Sequence, residues 1–261
     1  MDDSTNLARS LAITVAGYPF YLARTLIQIG YEPTPPDKYG RLPNIFTYMT
    51  VIRDARGYSA LYTGLRYYLP AVILKQSSYE FMASATNHKM DNGKSDASEI
   101  IAVCLRESAL KIYSTVITYP LLSMSIGYIG AAFFETEGTV EFTFQNLYKG
   151  IIPKLIVEVT MVWVTILSRR ITANLIDDSL GTAILSRVPP FIVQSFLYPL
   201  NVVSTVMADN GRSGANPRFN DWRECYRYLR LNNQLKRGSS YFSRRAHYQY
   251  QYQIFDRLNR S

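Results

Sequence analysis

The chain has 261 residues, of which 48% are hydrophobic, and a formal net charge of +8 at pH 7. Its mean hydropathy of −0.06 is low for a membrane protein, but the average conceals long charge-free windows. The two cysteines and two histidines do not occur at metal-ligand spacing, which argues against a metal site. No phosphate-binding glycine loop and no Ser–His–acid triad motif is present, so we predict neither an enzyme nor a bound cofactor.

The hydrophobic pattern predicts an all-α chain with five long helices, at residues 7–30, 60–87, 98–133, 147–176 and 180–208. Three further features lie between these helices: the helix-ending sequence EPTPP at 32–36, a short amphipathic segment at 45–52, and an Asp-Asp-Ser N-cap at 177–179. The last of these links is so short that it makes the fourth and fifth helices antiparallel neighbours.

Several of these helices are long and apolar enough to cross a bilayer. Residues 112–134 and 188–208 contain no charged side chain, and residues 10–31 contain only Arg24. Roughly 20 such residues span the hydrocarbon core, and a core helix of a soluble protein is seldom this long. We therefore predict a multi-pass membrane protein with five transmembrane helices.

A Tyr-Pro dipeptide lies in the middle of three of the apolar stretches, at Tyr18-Pro19, Tyr119-Pro120 and Tyr198-Pro199. Proline normally breaks a helix interior, but neighbouring helices can satisfy the freed carbonyl in a membrane bundle. The recurrence predicts three diverged copies of one Pro-kinked helix pair, at 1–95, 96–178 and 179–261. The third copy contains only one apolar window, so its second helix, the sixth of the bundle, is predicted to be missing.

The positive charge is concentrated in the last part of the chain. Residues 209–261 carry 11 Lys or Arg against 4 Asp or Glu. A basic segment can bind anionic lipid headgroups or nucleic acid, or form a solvated and weakly ordered tail. The alternating Tyr and Gln at 248–252 match no nucleic-acid-binding fold, so we expect no nucleic-acid partner. The loops at 31–59 and 135–146 are predicted to lie on the same side of the membrane as this tail.

Charged residues also fall inside the predicted spans, where each costs about 2.5–3.5 kcal/mol at mid-bilayer on insertion scales. Glu107 and Lys111 are four residues apart and could pair on one helix face. Arg24 and Glu158 lie deeper, and either a private ion pair or a hydrophilic cavity would accommodate them. We predict a polar groove whose charged side chains are Arg24, Glu158, Lys154, Lys75 and Glu80.

The Pro-centred units resemble the repeat of mitochondrial solute carriers, Pro-x-acid-x-x-base followed later by an aromatic-base-Gly motif. The second motif is traceable at Tyr62-Thr63-Gly64, Tyr148-Lys149-Gly150 and Lys236-Arg237-Gly238. The first has decayed: its acidic positions hold Tyr21, Leu122 and Asn201, and its basic positions hold Arg24, Ser125 and Ser204. In carriers these six charges are understood to close the pore. The resemblance therefore implies the carrier fold without carrier-type transport.

A more specific resemblance is carried by LIQIGYEPTPP at 26–36, GIIPKLIVEV at 150–159, LYPLNVVSTVMADN at 197–210 and RGSSYFSRR at 237–245. These segments are similar to the mitochondrial carrier homolog family. Members of that family are multi-pass proteins of the outer mitochondrial membrane that lack the sixth helix and insert α-helical, tail-anchored proteins. The family's basic and acidic groove positions match Arg24 and Glu158.

The resemblance implies an outer-membrane insertase whose partners are membrane lipids and tail-anchored or other α-helical client proteins. Lipid scrambling is a further activity that it implies, since an open polar groove would let headgroups slide across. Vertebrate members also dock a pro-apoptotic BH3 protein, so a receptor or scaffold for apoptotic or metabolic partners is the alternative. A residual solute carrier is the third hypothesis. Deleting residues 246–261 would distinguish a scaffold that uses this tail from an activity in the groove.

Overall fold

The computed structural model describes residues 2–86, 97–134, 143–175, 181, 185–240 and 244–245. This part of the chain is α-helical apart from one antiparallel pair of two-residue strands. The elements in chain order are α1 (Asp2–Ile29), β1 (Arg41–Leu42), α2 (Ile45–Arg56), a 3-10 turn (Tyr58–Tyr62), α3 (Leu65–Ala85), α4 (Ala97–Phe134), α5 (Phe144–Leu147), α6 (Ile151–Leu175), α7 (Val188–Asp209), α8 (Trp222–Leu231) and β2 (Arg244–Arg245).

The five long helices of the sequence analysis correspond to α1, α3, α4, α6 and α7, and the amphipathic segment to α2. Two begin later than predicted because a glycine with positive φ precedes each of them, Gly64 before α3 and Gly150 before α6. The described helix α7 begins at Val188, with prolines in its first turn, where a missing backbone donor costs little. Its N-cap position is Arg187, and the predicted cap at 177–179 lies outside the described residues.

Three helical segments are long and apolar enough to cross a membrane, Ser98–Phe134, Phe144–Ala173 and Val188–Asp209. Helices α1 and α3 have 28 and 21 residues, but charged side chains lower their hydropathy. The protein is therefore an all-α membrane protein, and the number of five spans stays a prediction.

One tertiary contact occurs three times and involves the tyrosine of each Tyr-Pro dipeptide. Each proline lies inside its helix, and the hydroxyl of the tyrosine before it donates to the carbonyl of the residue that precedes a glycine. The bonds run from Tyr18 to Thr63 (2.6 Å), from Tyr119 to Lys149 (2.8 Å) and from Tyr198 to Arg237 (2.5 Å). The same contact therefore ties the Tyr-Pro helix to the end of the following connection in each part of the chain, while the repeat boundaries stay a prediction.

The glycine that follows each of these carbonyls is conformationally required. Gly64, Gly150 and Gly238 have φ of +87°, +84° and +68°, values that residues with a Cβ rarely adopt. A Cβ on each would lie 3.0, 2.9 and 3.2 Å, respectively, from the hydroxyl of the bonded tyrosine. The sequence motif thus combines a turn and a close helix approach that only glycine allows.

The core consists of two described clusters at the C-terminal ends of the Tyr-Pro helices. The first joins α1, α2 and α4 through fully buried side chains such as Leu22, Tyr48 and Ile129. The second packs α8 against α7 through Cys225 and Leu229 on one side and Val202 on the other. The short helices α2 and α8 are therefore docked firmly onto the same end of the bundle.

The strand pair joins the loop after α1 to a segment that follows α8. Arg41 pairs with Arg245 and Leu42 with Arg244 in antiparallel register. This pairing places residues 244–245 beside the loop that follows α1, on the side that the sequence analysis assigned to both segments. Residues 232–240, which follow α8, form turns rather than a further helix.

The buried thiol of Cys225 provides a test of how α8 is docked. Burial raises the pKa of this thiol to about 12, so almost no reactive thiolate exists at pH 8. We expect the native protein in detergent to resist alkylation by a maleimide at this position, and to react quickly once unfolded. A Leu229→Ala variant, which loosens the same buried face, should speed labelling of Cys225. Mass spectrometry of the labelled peptides separates this site from Cys104, which is also buried.

Candidate functional site

A cavity of about 350 Å³ lies between the five long helices. Its walls combine polar and cationic side chains with a smaller number of apolar ones. The lining side chains are Tyr21, Arg24, Thr25 and Gln28 from α1, Tyr68, Ala71, Val72 and Lys75 from α3, Tyr119, Leu122 and Ile126 from α4, Lys154 from α6, and Gln194, Asn201, Ser204 and Thr205 from α7.

The charges predicted for a polar groove meet at this cavity, with one exception. Arg24, Lys75 and Lys154 line it directly. Glu158 lies one turn beyond Lys154 on α6, and its Oε1 is 2.8 Å from the Nζ of Lys75 and 3.8 Å from that of Lys154. Three cations thus line the cavity and one carboxylate lies beside it, so the cavity has a net positive charge.

The remaining predicted residue, Glu80, does not line this cavity. Its side chain is exposed on α3 and accepts a hydrogen bond from Gln76 Nε2 at 2.9 Å. Glu107 also has partners other than the expected Lys111: it pairs with Arg106 at 2.9 Å and accepts a bond from the Tyr79 hydroxyl. The bond from Tyr79 to Glu107 joins α3 to α4.

The positions of the decayed carrier motif converge on the cavity as the repeat predicts. Tyr21, Leu122 and Asn201, each two residues after a proline of the repeat, all line it. Among the basic positions, Arg24 points into the cavity and lies 5.0 Å from the ring of Tyr198. Ser125 instead donates to the carbonyl of Gly64 at 3.1 Å. The three acidic positions of the motif therefore meet at the cavity, but they hold neutral side chains.

Neutral polar residues of the cavity were missed by the sequence analysis, which searched the spans for charges. Gln28 is the most connected of them: it donates to Tyr198 Oη at 3.0 Å and accepts from Thr205 Oγ1 at 2.9 Å. Amides and hydroxyls are common in membrane helices, so their presence alone gives no signal. Their spacing from the prolines could have identified Gln28, which lies nine residues after Pro19.

One end of the cavity is closed by contacts onto the C-terminal ends of α1, α4 and α7. Arg237 Nη1 donates to Ile29 O at 3.0 Å, and Asn216 Nδ2 donates to the same carbonyl at 2.6 Å. Arg56 donates to Ala132 O at 2.8 Å, and Lys149 donates to the Asn210 side chain at 3.0 Å. The bonds from Arg237, Asn216 and Arg56 satisfy helix-end carbonyls, and all four bonds lie on the side of α2 and α8.

The opposite halves of α1 and α7 are exposed. The bonds between these helices described above lie in their C-terminal halves, at Gln28, Tyr198 and Thr205. Nearer the N-termini, Ile13 of α1 is 68% exposed and Phe191 of α7 is 72% exposed. Gln194 lines the cavity and is itself exposed, so the cavity reaches the surface beside the first half of α7.

These features define a class: an all-α membrane protein with a cationic cavity that is closed at one end and reaches the surface beside α7. Among the described residues, no group of three or more His, Cys, Asp and Glu side chains could hold a metal ion.

No family model matches the chain. It is 25% identical to "Mitochondrial carrier homolog 2" of Mus musculus over 94% of this chain and 95% of that protein. The same protein of Homo sapiens is 24% identical with the same coverage, and "Mitochondrial carrier homolog 1" of Mus musculus is 27% identical over 92% of this chain and 76% of that protein. These similarities, along almost the whole chain, support the mitochondrial carrier homolog family. It is thus a protein of a mitochondrial membrane.

Proposed function

We propose that this protein is an insertase of the outer mitochondrial membrane for α-helical, tail-anchored proteins. The observation that carries the proposal is a cationic cavity that reaches the surface beside the exposed first half of α7. Similarity to the mitochondrial carrier homologs supports the same function. The polar flank of a client helix would occupy the cavity, while its apolar part leaves sideways into lipid.

The energetic reason for such a cavity is the cost of moving polar groups through hydrocarbon. Carrying one charge unassisted through the bilayer centre costs from about 3 to more than 10 kcal/mol, depending on the estimate. The Lys75–Glu158–Lys154 cluster and Arg24 offer polar partners to a client flank inside the helix bundle. A client flank can exchange water for these partners, so no nucleotide is needed to lower the barrier.

The surface beside the cavity suits the apolar part of a client. Phe191 and Ile192 are exposed on the first half of α7, and Ile13 is exposed on α1. A client helix placed here would pack against these side chains before it diffuses into the bilayer. Solute transport fits less well, because the three acidic gate positions are Tyr21, Leu122 and Asn201 and cannot form the ion pairs of a carrier gate.

Lipid scrambling is a second candidate activity of the same cavity. Arg24, Lys75 and Lys154 offer three cations to a phosphate headgroup, and the exposed side next to Gln194 would leave the acyl chains in the bilayer. Headgroups could then cross where hydrocarbon is interrupted by polar side chains.

The test of the proposed function is import of a tail-anchored reporter into mitochondria that lack this protein and are re-supplied with it. Wild type should restore insertion. Glu158→Leu should restore it several-fold less at equal protein amount, because it removes the carboxylate that compensates two lysines. Glu80→Leu is the matched control, since Glu80 is a carboxylate on a long helix outside the cavity.

Full rescue by both variants would remove Glu158 from the mechanism but leave the insertase. Absence of rescue by the wild type would refute the insertase and favour the receptor or scaffold hypothesis, for which the tail at 246–261 lies outside the described residues.

A further inference from the structure

A second groove lies on the outer surface of the bundle, between α7 and α8. It measures about 540 Å³ and is mostly apolar. Its lining side chains are Phe196, Pro199 and Leu200 from α7 and Trp222, Arg223, Tyr226 and Arg227 from α8. The cavity residues of α7, Gln194, Asn201, Ser204 and Thr205, do not contribute to it.

The orientation of α8 is fixed by its buried face. Cys225 and Leu229 are fully buried against α7, so the helix cannot rotate. This places two parallel rows along the groove, the half-buried aromatic rings of Trp222 and Tyr226 and the exposed guanidinium groups of Arg223 and Arg227. Residues four apart on a helix lie on the same face, which explains why both rows follow the groove.

The two walls match the two parts of a phospholipid. Phe196 is 79% exposed, and it belongs to a helix apolar enough to span a membrane, so its natural neighbour is an acyl chain. Aromatic rings such as Trp222 and Tyr226 are favoured where the hydrocarbon meets the headgroups. Guanidinium groups at the same level bind phosphate through paired hydrogen bonds.

We propose that this groove binds an anionic phospholipid of the surrounding bilayer, with an acyl chain against Phe196 and Leu200 and the phosphate between Arg223 and Arg227. The charge of the lining favours an anionic headgroup, because it contains two arginines and no acidic residue. A lipid is preferred over a peptide, since the apolar wall lies on the face of a helix that hydrocarbon surrounds. This site is independent of the proposed insertase activity.

The two tryptophans of the chain allow a direct test. Trp222 lines the groove, whereas Trp163 lies on α6 and donates to Ser108 Oγ at 3.0 Å. Full-length Trp163→Phe protein in detergent micelles would be titrated with phosphatidylglycerol or phosphatidylcholine carrying the same brominated chains, which quench nearby tryptophan. We expect half-maximal quenching of Trp222 at a roughly thirtyfold lower mole fraction of the anionic lipid, as two surface arginines predict.

The paired substitution Arg223→Gln with Arg227→Gln should abolish this preference and leave quenching by phosphatidylcholine unchanged. Arg230→Gln, an exposed arginine of α8 outside the groove, should retain it. Equal quenching by the two lipids in the Trp163→Phe protein would overturn the proposal, and so would a preference that survives the paired substitution. Wild-type protein compared with Trp222→Phe repeats the measurement without altering Trp163.

Discussion

Gly150→Ala should be among the most damaging single substitutions in this protein. The new Cβ would lie 2.7 Å from the carbonyl oxygen of Ser204 and 2.9 Å from both Met207 Cβ and Tyr119 Oη. Backbone strain at φ +84° adds to this overlap, and together they should lower the free energy of unfolding by about 3 kcal/mol. Thermal unfolding of the purified protein in detergent should show a midpoint roughly 5–10 °C lower.

Gly214→Ala is the matched control for this experiment. Gly214 has φ +64°, but a Cβ there meets no atom within 4 Å. The control therefore carries backbone strain alone and should cost about 1 kcal/mol. Equal effects of the two substitutions would show that the close approach of α7 to Gly150 contributes nothing to stability.

Glu158→Gln should produce the second large effect, because it leaves Lys75 and Lys154 in the cavity without their carboxylate. The pair with Lys75 retains side-chain exposures of 29% and 17%, so its removal should cost about 1–2 kcal/mol, less than for a fully buried pair. Lys75→Met should cost less, since Glu158 keeps Lys154 at 3.8 Å. The double variant, Lys75→Met with Glu158→Gln, should lose less stability than the two single variants lose together.

Unfolding midpoints of the four proteins give the coupling between Lys75 and Glu158 directly. Arg53 and Asp54 offer a control pair at the same distance of 2.8 Å, but on an exposed helix end. We expect no measurable coupling there. Additive effects for Lys75 and Glu158 would contradict the ion pair as the organising contact of the cavity.

The sequence predicted the parts of the fold that depend on local pattern. Hydropathy predicted the five long helices that line the cavity, and the three Tyr-Pro dipeptides marked three of them. Hydropathy placed the starts of α3 and α6 too early. Gly64 and Gly150 directly precede these helices, and the positive φ of each glycine ends the preceding turn. Helix α8 was missed, since its ten residues include three arginines and resemble a solvated segment until Cys225 and Leu229 are seen to be buried.

The cavity was only partly predictable. A search for charges in the spans found Arg24, Lys75, Lys154 and Glu158, which the structure brings together. The same search included Glu80, because sequence position gives depth along a helix but not the direction that the side chain faces. Gln28 and the exposed half of α7 depend on how α1 and α7 pack against each other, which no local pattern encodes.

Purified components test whether the cavity beside α7 lets a client helix enter the bilayer. Full-length protein would be reconstituted into liposomes, and insertion of a tail-anchored client would be followed by protease protection of its C-terminal tail. We predict faster insertion than into liposomes containing the Glu158→Leu variant or no protein. Equal insertion with and without the wild-type protein, once its orientation and amount are verified, would refute the proposed insertase activity.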